Sequence, residues 1–205
     1  MRSALVSDFD GTITTNDFFN LVADRYMPRD VPDFFEMYRR GELTHVQAMQ
    51  KFFDFTPDDP GILDQLLTDT EPDPDLRASV ERLNQAGWDL IVVSAGSTWY
   101  IERIFERLGI TATVHSNAGR IVPGKGLQLD DLTRDVDKAG IVREAQAKYK
   151  QVAFAGDGPP DLKPALLVEP ELRFARRYLA DELTRRGERF RPFQRWSAVA
   201  DALLT

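Results

Sequence analysis

Two aspartates, Asp8 and Asp10, stand two residues apart where a short apolar run ends, in the segment 4–12 (ALVSDFDGT). The run predicts a buried parallel strand, and ligands of parallel α/β sheets bind at the carboxyl ends of the strands. Carboxylates this close repel each other unless a cation or a shared proton relieves the repulsion. Oxygen-rich sites suit Mg²⁺, so the segment predicts a metal-assisted site. An aspartate-rich turn followed by Gly11 is the simple structural alternative.

Three further segments carry polar residues that fit the same kind of site. The apolar runs 90–93 and 152–155 each end in a turn of small and polar residues, and a lysine opens a predicted helix between them. Taken singly, a strand-end hydroxyl, a surface lysine or an acidic turn is common. Together with the first segment they predict one site at the carboxyl edge of one sheet. The residues concerned are Ser94, Ala95, Gly96, Lys138, Asp157 and Asp161.

These residue types could perform phosphoryl transfer, which needs a nucleophile, charge neutralisation, donors to the phosphate oxygens and an acid for the leaving oxygen. Asp8 would be the nucleophile and form an aspartyl phosphate. Asp10 would protonate the leaving oxygen and later activate water as a base. Asp157 would bind Mg²⁺ directly, and Asp161 would bind it through water.

The other residues would hold the phosphate. The Ser94 hydroxyl and the amides of Ala95 and Gly96, at the mouth of the following helix, could donate to its oxygens. Lys138 would neutralise charge on the phosphate and on the nucleophile. Thr12 would cap the first turn or contact the phosphate. The two histidines, His45 and His115, are predicted to be surface or loop residues, because the proposed chemistry already has its acid and base.

The four segments resemble the four motifs of the haloacid dehalogenase superfamily of phosphatases, in the same order and with similar spacing. The resemblance implies the same roles for the four aspartates and Lys138, and adds the backbone carbonyl of Asp10 as a metal ligand. Lys138 stands 18 positions before Gly156, as the family pattern expects. One departure is Pro159-Pro160, where small or polar residues are usual. It bears on the role of Asp161 more than on that of Asp157.

Alternation of strands and helices predicts a doubly wound (Rossmann-like) parallel sheet. Residues 1–13 and 74–205 are predicted to form this α/β core, and residues 14–73 a helical-bundle cap inserted after the first strand. The insertion leaves from the strand end that carries Asp8, so it is placed to cover the site. The predicted helices are 16–27, 32–40, 44–55, 60–69, 75–86, 98–108, 138–149, 174–186 and 196–204, and the later strands are 88–93, 112–116, 120–122, 152–155 and 166–168.

A helical cap at this point resembles the phosphoserine-phosphatase-like branch of the superfamily. The segments 8–17 (DFDGTITTND), 174–179 (FARRYL) and 190–193 (FRPF) resemble the methionine-salvage phosphatases, which act on 2-hydroxy-3-keto-5-methylthiopentenyl-1-phosphate. That resemblance implies a substrate with an apolar thioether. Within the cap, Asn16 and Asp17 could face the pocket. Four aromatic residues could flank the thioether or merely fill the core of the cap: Phe18, Phe19, Phe52 and Phe53.

Other functions stay open at this point. Phosphoserine phosphatase or a phosphotransferase would use the same aspartyl phosphate. A phospho-accepting signalling module also pairs an acidic metal site with a phosphorylated aspartate, although it lacks an acid two residues beyond the acceptor. A binding protein that has lost its catalytic activity is the fourth candidate. It is disfavoured because all the catalytic positions are present in the chain.

Composition narrows the partners. The net charge of −7, from 33 acidic and 26 basic residues, argues against nucleic acid, which needs a positive field. Arginines between residues 173 and 195 alternate with acidic residues and predict a solvated helix face. No apolar run approaches the roughly 20 residues needed to span a bilayer. The absence of cysteine excludes thiol catalysis and disulfides. We therefore expect a cytoplasmic protein whose partner is a small phosphorylated metabolite, with its oligomeric state open.

Overall fold

The computed structural model describes residues 1–205 and is built around a six-stranded parallel sheet. The strands are β1 (Ser3–Ser7), β2 (Trp88–Ser97), β3 (Thr113–Asn117), β4 (Gly119–Val122), β5 (Gly126–Leu129), β6 (Val152–Gly156), β7 (Arg173–Ala175) and β8 (Arg191–Pro192). Their order in the sheet is β3-β2-β1-β6-β7-β8, and β4 and β5 form a separate antiparallel hairpin. The central position of β1 explains why its apolar residues are fully buried.

Helices cover both faces of the sheet, as the alternation of elements predicts. They are α1 (Phe18–Tyr26), α2 (Phe34–Arg39), α3 (His45–Phe53), α4 (Pro60–Asp69), α5 (Leu76–Gln85), α6 (Thr98–Leu108), α7 (Lys138–Lys148), α8 (Leu162–Ala165), α9 (Arg177–Arg185) and α10 (Trp196–Leu204). Alternate residues of β1 point to opposite faces. Leu5 joins a core with α5, α6 and α10, whereas Ala4 and Val6 join a core with α7 and α9. None of these helices has the length and hydropathy that crossing a bilayer requires.

The helices α1–α4 lie in residues 14–73, the segment predicted to form a helical-bundle cap; this segment is called the cap below. The chain leaves the sheet after β1 and later returns beside the same outgoing segment. Thr14 and Pro72 form a single antiparallel bridge at this point. The capping box of Thr44 and Gln47 starts α3 where the sequence predicts it. The helix predicted over residues 16–27 begins later, at Phe18, and the Asn16 side chain, a plausible helix N-cap by its residue type, donates to the carbonyl of Asp69 instead.

The edge strand predicted at residues 166–168 is wrong. This segment follows the single turn of α8, and the strand beside β6 is β7, which the sequence analysis assigned to the start of a helix. The reason is the guanidinium of Arg173, which is buried and donates to the carbonyls of Ala165 and Val168. A buried arginine with these acceptors forms only in the folded chain, so local apolarity misplaced the strand.

The strand β5 also has no counterpart in the sequence prediction. It packs against α3, where the buried Gln50 side chain donates to the carbonyl of Leu127 and accepts from the amide of Leu129. The β4–β5 hairpin and the cap are thereby tied together, because Gln50 satisfies backbone groups that an edge strand otherwise leaves unpaired.

Candidate active site

Asp8 lies directly after β1 at the carboxyl edge of the sheet, and its side chain is held in one orientation. Its Oδ1 atom accepts from the amide of Phe9 at 2.7 Å and lies 2.9 Å from Nζ of Lys138. Burial raises the pKa of Asp8 well above its ordinary value, and the negative charge of Asp161 adds to this shift. A nearby cation is needed to keep such a carboxylate ionised and nucleophilic.

Lys138 supplies part of that positive charge. It is the first residue of α7 and is buried, with Nζ also 2.7 Å from Oδ1 of Asp161. Burial lowers the pKa of Lys138, but the attraction of Asp161 and Asp8 outweighs it and leaves the pKa raised. The lysine is therefore charged at neutral pH and bridges the two carboxylates.

Asp157 and Asp161 follow β6 and have different surroundings. Asp157 accepts from the Thr12 hydroxyl on Oδ1 at 2.8 Å. Both oxygens of Asp161 already accept hydrogen bonds, Oδ1 from Lys138 and Oδ2 from the amides of Asp157 and Gly158. Asp161 thus holds Lys138 and the loop in place, which fits a metal contact through water better than direct ligation. Burial and the charge of Asp161 raise the pKa of Asp157 to about 6.

The two prolines at this point do not disrupt the loop. Pro159 and Pro160 begin the 3₁₀ turn Pro159–Asp161, at positions whose amides have no intrahelical partner. The turn delivers Asp161 to the buried network, so the departure from the family pattern leaves its geometry intact.

These carboxylates form a group that could hold a metal ion. Oxygen atoms of Asp8, Asp157 and Asp161 lie within 4.8 Å of one another. The side chain of Asp10 turns away from this group, so only its carbonyl is left for the metal role that the resemblance implies. Clustered oxygen ligands of this kind suit Mg²⁺.

Asp10 faces the cap. Its Oδ1 accepts from the amide of Phe18 at 3.0 Å, and its Oδ2 accepts from the hydroxyl of Tyr100 at 2.5 Å. Burial, followed by the negative charge of Asp17, raises the pKa of Asp10 to about 7. A carboxyl group with this pKa can hold a proton and give it up near neutral pH, as a general acid must.

The predicted phosphate donors lie at the end of β2. Oγ of Ser94 is 3.4 Å from Oδ2 of Asp10. The amide of Gly96 donates to the same Ser94 Oγ at 2.9 Å. The strand runs on to Ser97, which caps α6, so Ala95 and Gly96 belong to the strand rather than to the mouth of the helix. Phosphate binding by the Gly96 amide would require its bond to Ser94 to open.

Comparison with known proteins identifies the family of the chain and structures with the same fold. The model of the haloacid dehalogenase-like hydrolase family matches residues 5–165. The chain belongs to that family. Two solved structures with the same fold are the probable phosphoserine phosphatase from Vibrio cholerae, unliganded (23% identity, TM-score 0.72, 98% of this chain and 65% of that one), and phosphoserine phosphatase from T. onnurineus in complex with NDSB-201 (20% identity, TM-score 0.65, 98% and 94%).

A third structure with this fold is a protein with unknown function from Bordetella pertussis Tohama I, at 18% identity with a TM-score of 0.59. The match covers 93% of this chain and 98% of the Bordetella pertussis chain. The present chain spans 65% of the length of the Vibrio cholerae protein. At these identities the likeness concerns the fold of this hydrolase.

Sequence reasoning missed Tyr100, although its position on α6, one turn beyond the second motif, is a signal that could have pointed to it. A Cβ atom on Gly96 would lie 1.6 Å from the Tyr100 hydroxyl oxygen, so the glycine makes room for this tyrosine. Its ring stacks on Phe18 of the cap with centroids 4.5 Å apart. Tyr100 therefore links the cap to Asp10.

His45, predicted to be a surface or loop residue, is half-buried at the start of a helix. It is the first residue of α3, and the amide of the next residue, Val46, donates to Oδ1 of Asp135 at 2.7 Å. Burial lowers the pKa of His45, the charge of Asp135 raises it and the charge of Lys138 lowers it further. The start of α3 therefore lies over the loop that leads into Lys138.

Arg177 was also missed as a site residue, although the segment 174–179 that contains it was quoted for its resemblance; the arginines of this region were predicted to form a solvated helix face. Its Nη1 atom lies 3.3 Å from Oδ2 of Asp157 and 3.6 Å from Oδ1 of Asp17. The Asp17 side chain therefore lies beside the guanidinium that contacts Asp157. The sequence analysis suggested that Asp17 could face the pocket.

Proposed function

We propose that this hydrolase is a Mg²⁺-dependent phosphomonoesterase that acts on a small phosphorylated metabolite through an aspartyl phosphate on Asp8. The observation that carries the proposal is the buried bridge from Asp8 through Lys138 to Asp161, with Asp157 beside it. A purely structural ion pair has no need of a third buried carboxylate, whereas a site for a cation and a phosphate does.

The residues present fit the metal. Oδ2 of Asp8 and the carbonyl of Asp10 accept no hydrogen bond from the protein, and Oδ2 of Asp157 has only the 3.3 Å contact with Arg177. These three oxygens would hold Mg²⁺. When bound, the ion would offset the repulsion between the carboxylates and the incoming phosphate dianion.

The chain's own residues then take different roles in the reaction. An oxygen of Asp8 attacks phosphorus while the bond to the leaving oxygen breaks, and Asp10 gives its proton to that oxygen. In the second step Asp10 takes a proton from water, whose oxygen attacks the phosphorus and releases Asp8. Lys138 holds Asp8 in line and opposes the charge of the phosphate, and Ser94 lies where its hydroxyl can donate to a phosphate oxygen.

The cap supports a leaving group with an apolar part. Phe18 and Phe53 are fully buried and belong to the same apolar core as Phe9 and Tyr100. Phe19 and Phe35 are partly exposed, and their rings pack edge to face at 5.4 Å, with His45 beyond Phe35. A thioether would suit such a surface, which favours the methionine-salvage enol phosphate as the finer hypothesis.

Phosphoserine remains the alternative substrate, favoured by the fold shared with the phosphoserine phosphatases. A phosphotransferase would use the same Asp8 and a different acceptor in the second step. A signalling or non-catalytic module is disfavoured, because Asp10 is poised near neutral pH to act as the acid and base that hydrolysis requires.

The test is the initial rate of phosphate release with Mg²⁺ across phosphoserine, phosphocholine and the methionine-salvage enol phosphate. We expect one compound to be strongly preferred and Asp8→Asn to abolish its hydrolysis. Full turnover by Asp8→Asn would refute the nucleophile. Preference for phosphoserine would replace the finer hypothesis and keep the class, and absence of release from every compound would overturn the phosphatase.

A further inference from the structure

The two linkers between the sheet and the cap are held by arginines that the reaction itself does not require. The outgoing linker lies beside the returning one, because the amides of Thr15 and Asn16 donate to the carbonyls of Glu71 and Thr70 at 2.9 and 3.0 Å. A third backbone bond, from the amide of Asp73 to the carbonyl of Ile13 at 3.0 Å, completes this pairing. A residue that holds this pair of linkers therefore helps to place the start of α1 over the site.

Arg177 holds the outgoing linker from the core side. Its Nη2 atom donates to the carbonyl of Thr15 at 2.6 Å, and the neighbouring Arg176 donates to the carbonyl of Thr14 at 3.1 Å. Arg177 has a backbone φ of +50°, which a residue with a side chain rarely adopts. The chain accepts this conformation at the very residue whose guanidinium reaches the linker.

The same guanidinium also contacts two carboxylates. Its Nη1 lies between Oδ2 of Asp157, in the metal group, and Oδ1 of Asp17, the residue that precedes α1. Oδ1 of Asp17 is buried and has no hydrogen-bond partner, so the nearby guanidinium is its main source of compensation. A Cβ on Gly11 would collide with all three groups, which shows how closely they meet.

We propose that Arg177 is a positioning residue that seats the cap on the active site by joining the cap linker and Asp17 to Asp157. Only the kinetic part of its test depends on the proposed phosphatase function. Loss of the guanidinium frees the linker and leaves Asp17 facing Asp157 without an intervening cation. Thr12 still holds Asp157, so the metal group keeps its shape while the linker before α1 loses the contact that ties it to Asp157.

Arg177→Asn tests this, because asparagine tolerates a positive φ and lacks the guanidinium. Arg177→Gly is the second variant, since glycine adopts this backbone without strain. Arg186→Asn, which removes an exposed guanidinium from the other end of α9, is the matched control. The first readout is hydrogen exchange at the amides of Thr15 and Asn16, which needs neither substrate nor metal.

The second readout compares p-nitrophenyl phosphate, whose bulky leaving group meets the cap, with acetyl phosphate, whose leaving group is too small to do so. We expect faster exchange at both amides, a loss of kcat/KM of about tenfold or more for p-nitrophenyl phosphate, and less than about threefold for acetyl phosphate. Arg177→Lys, which keeps the charge but cannot bridge three acceptors, should recover part of the loss.

Unchanged exchange in both variants would overturn the proposal, whatever the activities. Equal losses for the two compounds would also overturn it, because they would place the effect at the metal group and not at the cap. If the unaltered protein hydrolyses neither compound, the proposed function fails, and the exchange measurement still decides whether Arg177 seats the cap.

Discussion

The sheet edge and the cap meet at Tyr100, but different interactions hold them. At the sheet edge, Lys138 joins Asp8 and Asp161 in a buried network of charged hydrogen bonds. On the cap side, Phe19 and Phe35 belong to a cluster of packed aromatic rings. Removing one member of a buried charged network leaves its partner unpaired, whereas an apolar cluster tolerates changes of similar volume. We therefore expect the sheet edge to determine the reaction and the cap to determine which leaving groups are accepted.

The two regions meet at Tyr100. Its ring belongs to the apolar side, stacked on Phe18, and its hydroxyl belongs to the charged side, hydrogen-bonded to Asp10. Substitutions on either side of this residue should accordingly affect different kinetic constants, with the largest effects on the charged side.

Asp10→Asn should have the largest effect, because the amide keeps the shape of the side chain and cannot act as acid and base. We expect kcat to fall by about 10²- to 10⁴-fold in steady-state assays with Mg²⁺. The pKa of Asp10, raised to about 7, gives the sign of the pH dependence. The protonated carboxyl is the acid, so turnover limited by the first step should decline as the pH rises above about 7. An unchanged kcat would remove the role of Asp10.

Lys138→Met should reduce both activity and stability. The substitution leaves Asp8 and Asp161 without their cation, so we expect a loss of about 3–5 kcal/mol in the free energy of unfolding, measured with urea. We expect kcat/KM to fall by about a hundredfold. Lys148→Met, at the exposed end of the same helix, is the control. Equal stability of the two variants would show that the buried bridge contributes little.

Tyr100→Phe tests the junction between the regions. The ring stack on Phe18 stays, and only the hydrogen bond to Asp10 is lost. One such bond corresponds to about a tenfold decrease in kcat. KM should change little, since the cap surface is intact. A larger change in KM than in kcat would mean that the hydroxyl serves the cap rather than Asp10. Tyr178→Phe, at an exposed position, controls for the loss of a hydroxyl.

Phe35→Leu should have the smallest effect and should act only on the choice of substrate. Loss of the aromatic contacts with Phe19 and His45 corresponds to about 0.5–1.5 kcal/mol, or roughly three- to tenfold in kcat/KM for p-nitrophenyl phosphate. Acetyl phosphate should be hydrolysed at the rate of the unaltered protein. A parallel loss for both compounds would contradict the division between sheet edge and cap.

The sequence predicts most of the sheet edge because each functional segment follows an apolar run with a clear local signal. The strand before Asp8 and the strand before Asp157 are examples, and the structure places both beside each other in the sheet. Capping by Thr44 and Ser97 was likewise predictable, since a cap depends on neighbouring residues alone. The parallel α/β fold follows from the alternation of such elements.

The errors lie where distant contacts override local signals. The most apolar stretch near β7 lies earlier in the chain, at residues 166–168, where the strand was predicted. The strand forms at Arg173–Ala175 instead, because the buried Arg173 side chain bonds the carbonyls of Ala165 and Val168. His45 seemed an isolated histidine, and only the packing of α3 against the loop that holds Asp135 brings it near Lys138. Neither arrangement has a local signature.

By itself, the sequence determined which residue types stand at the carboxyl ends of the strands, and hence that carboxylates, a hydroxyl and a lysine share one sheet edge. The tertiary structure alone decided how they pair: Lys138 with Asp8 and Asp161, Tyr100 with Asp10, and Arg177 with Asp157. Strand ends follow from local periodicity, whereas the pairing of side chains depends on how elements far apart in the chain pack together.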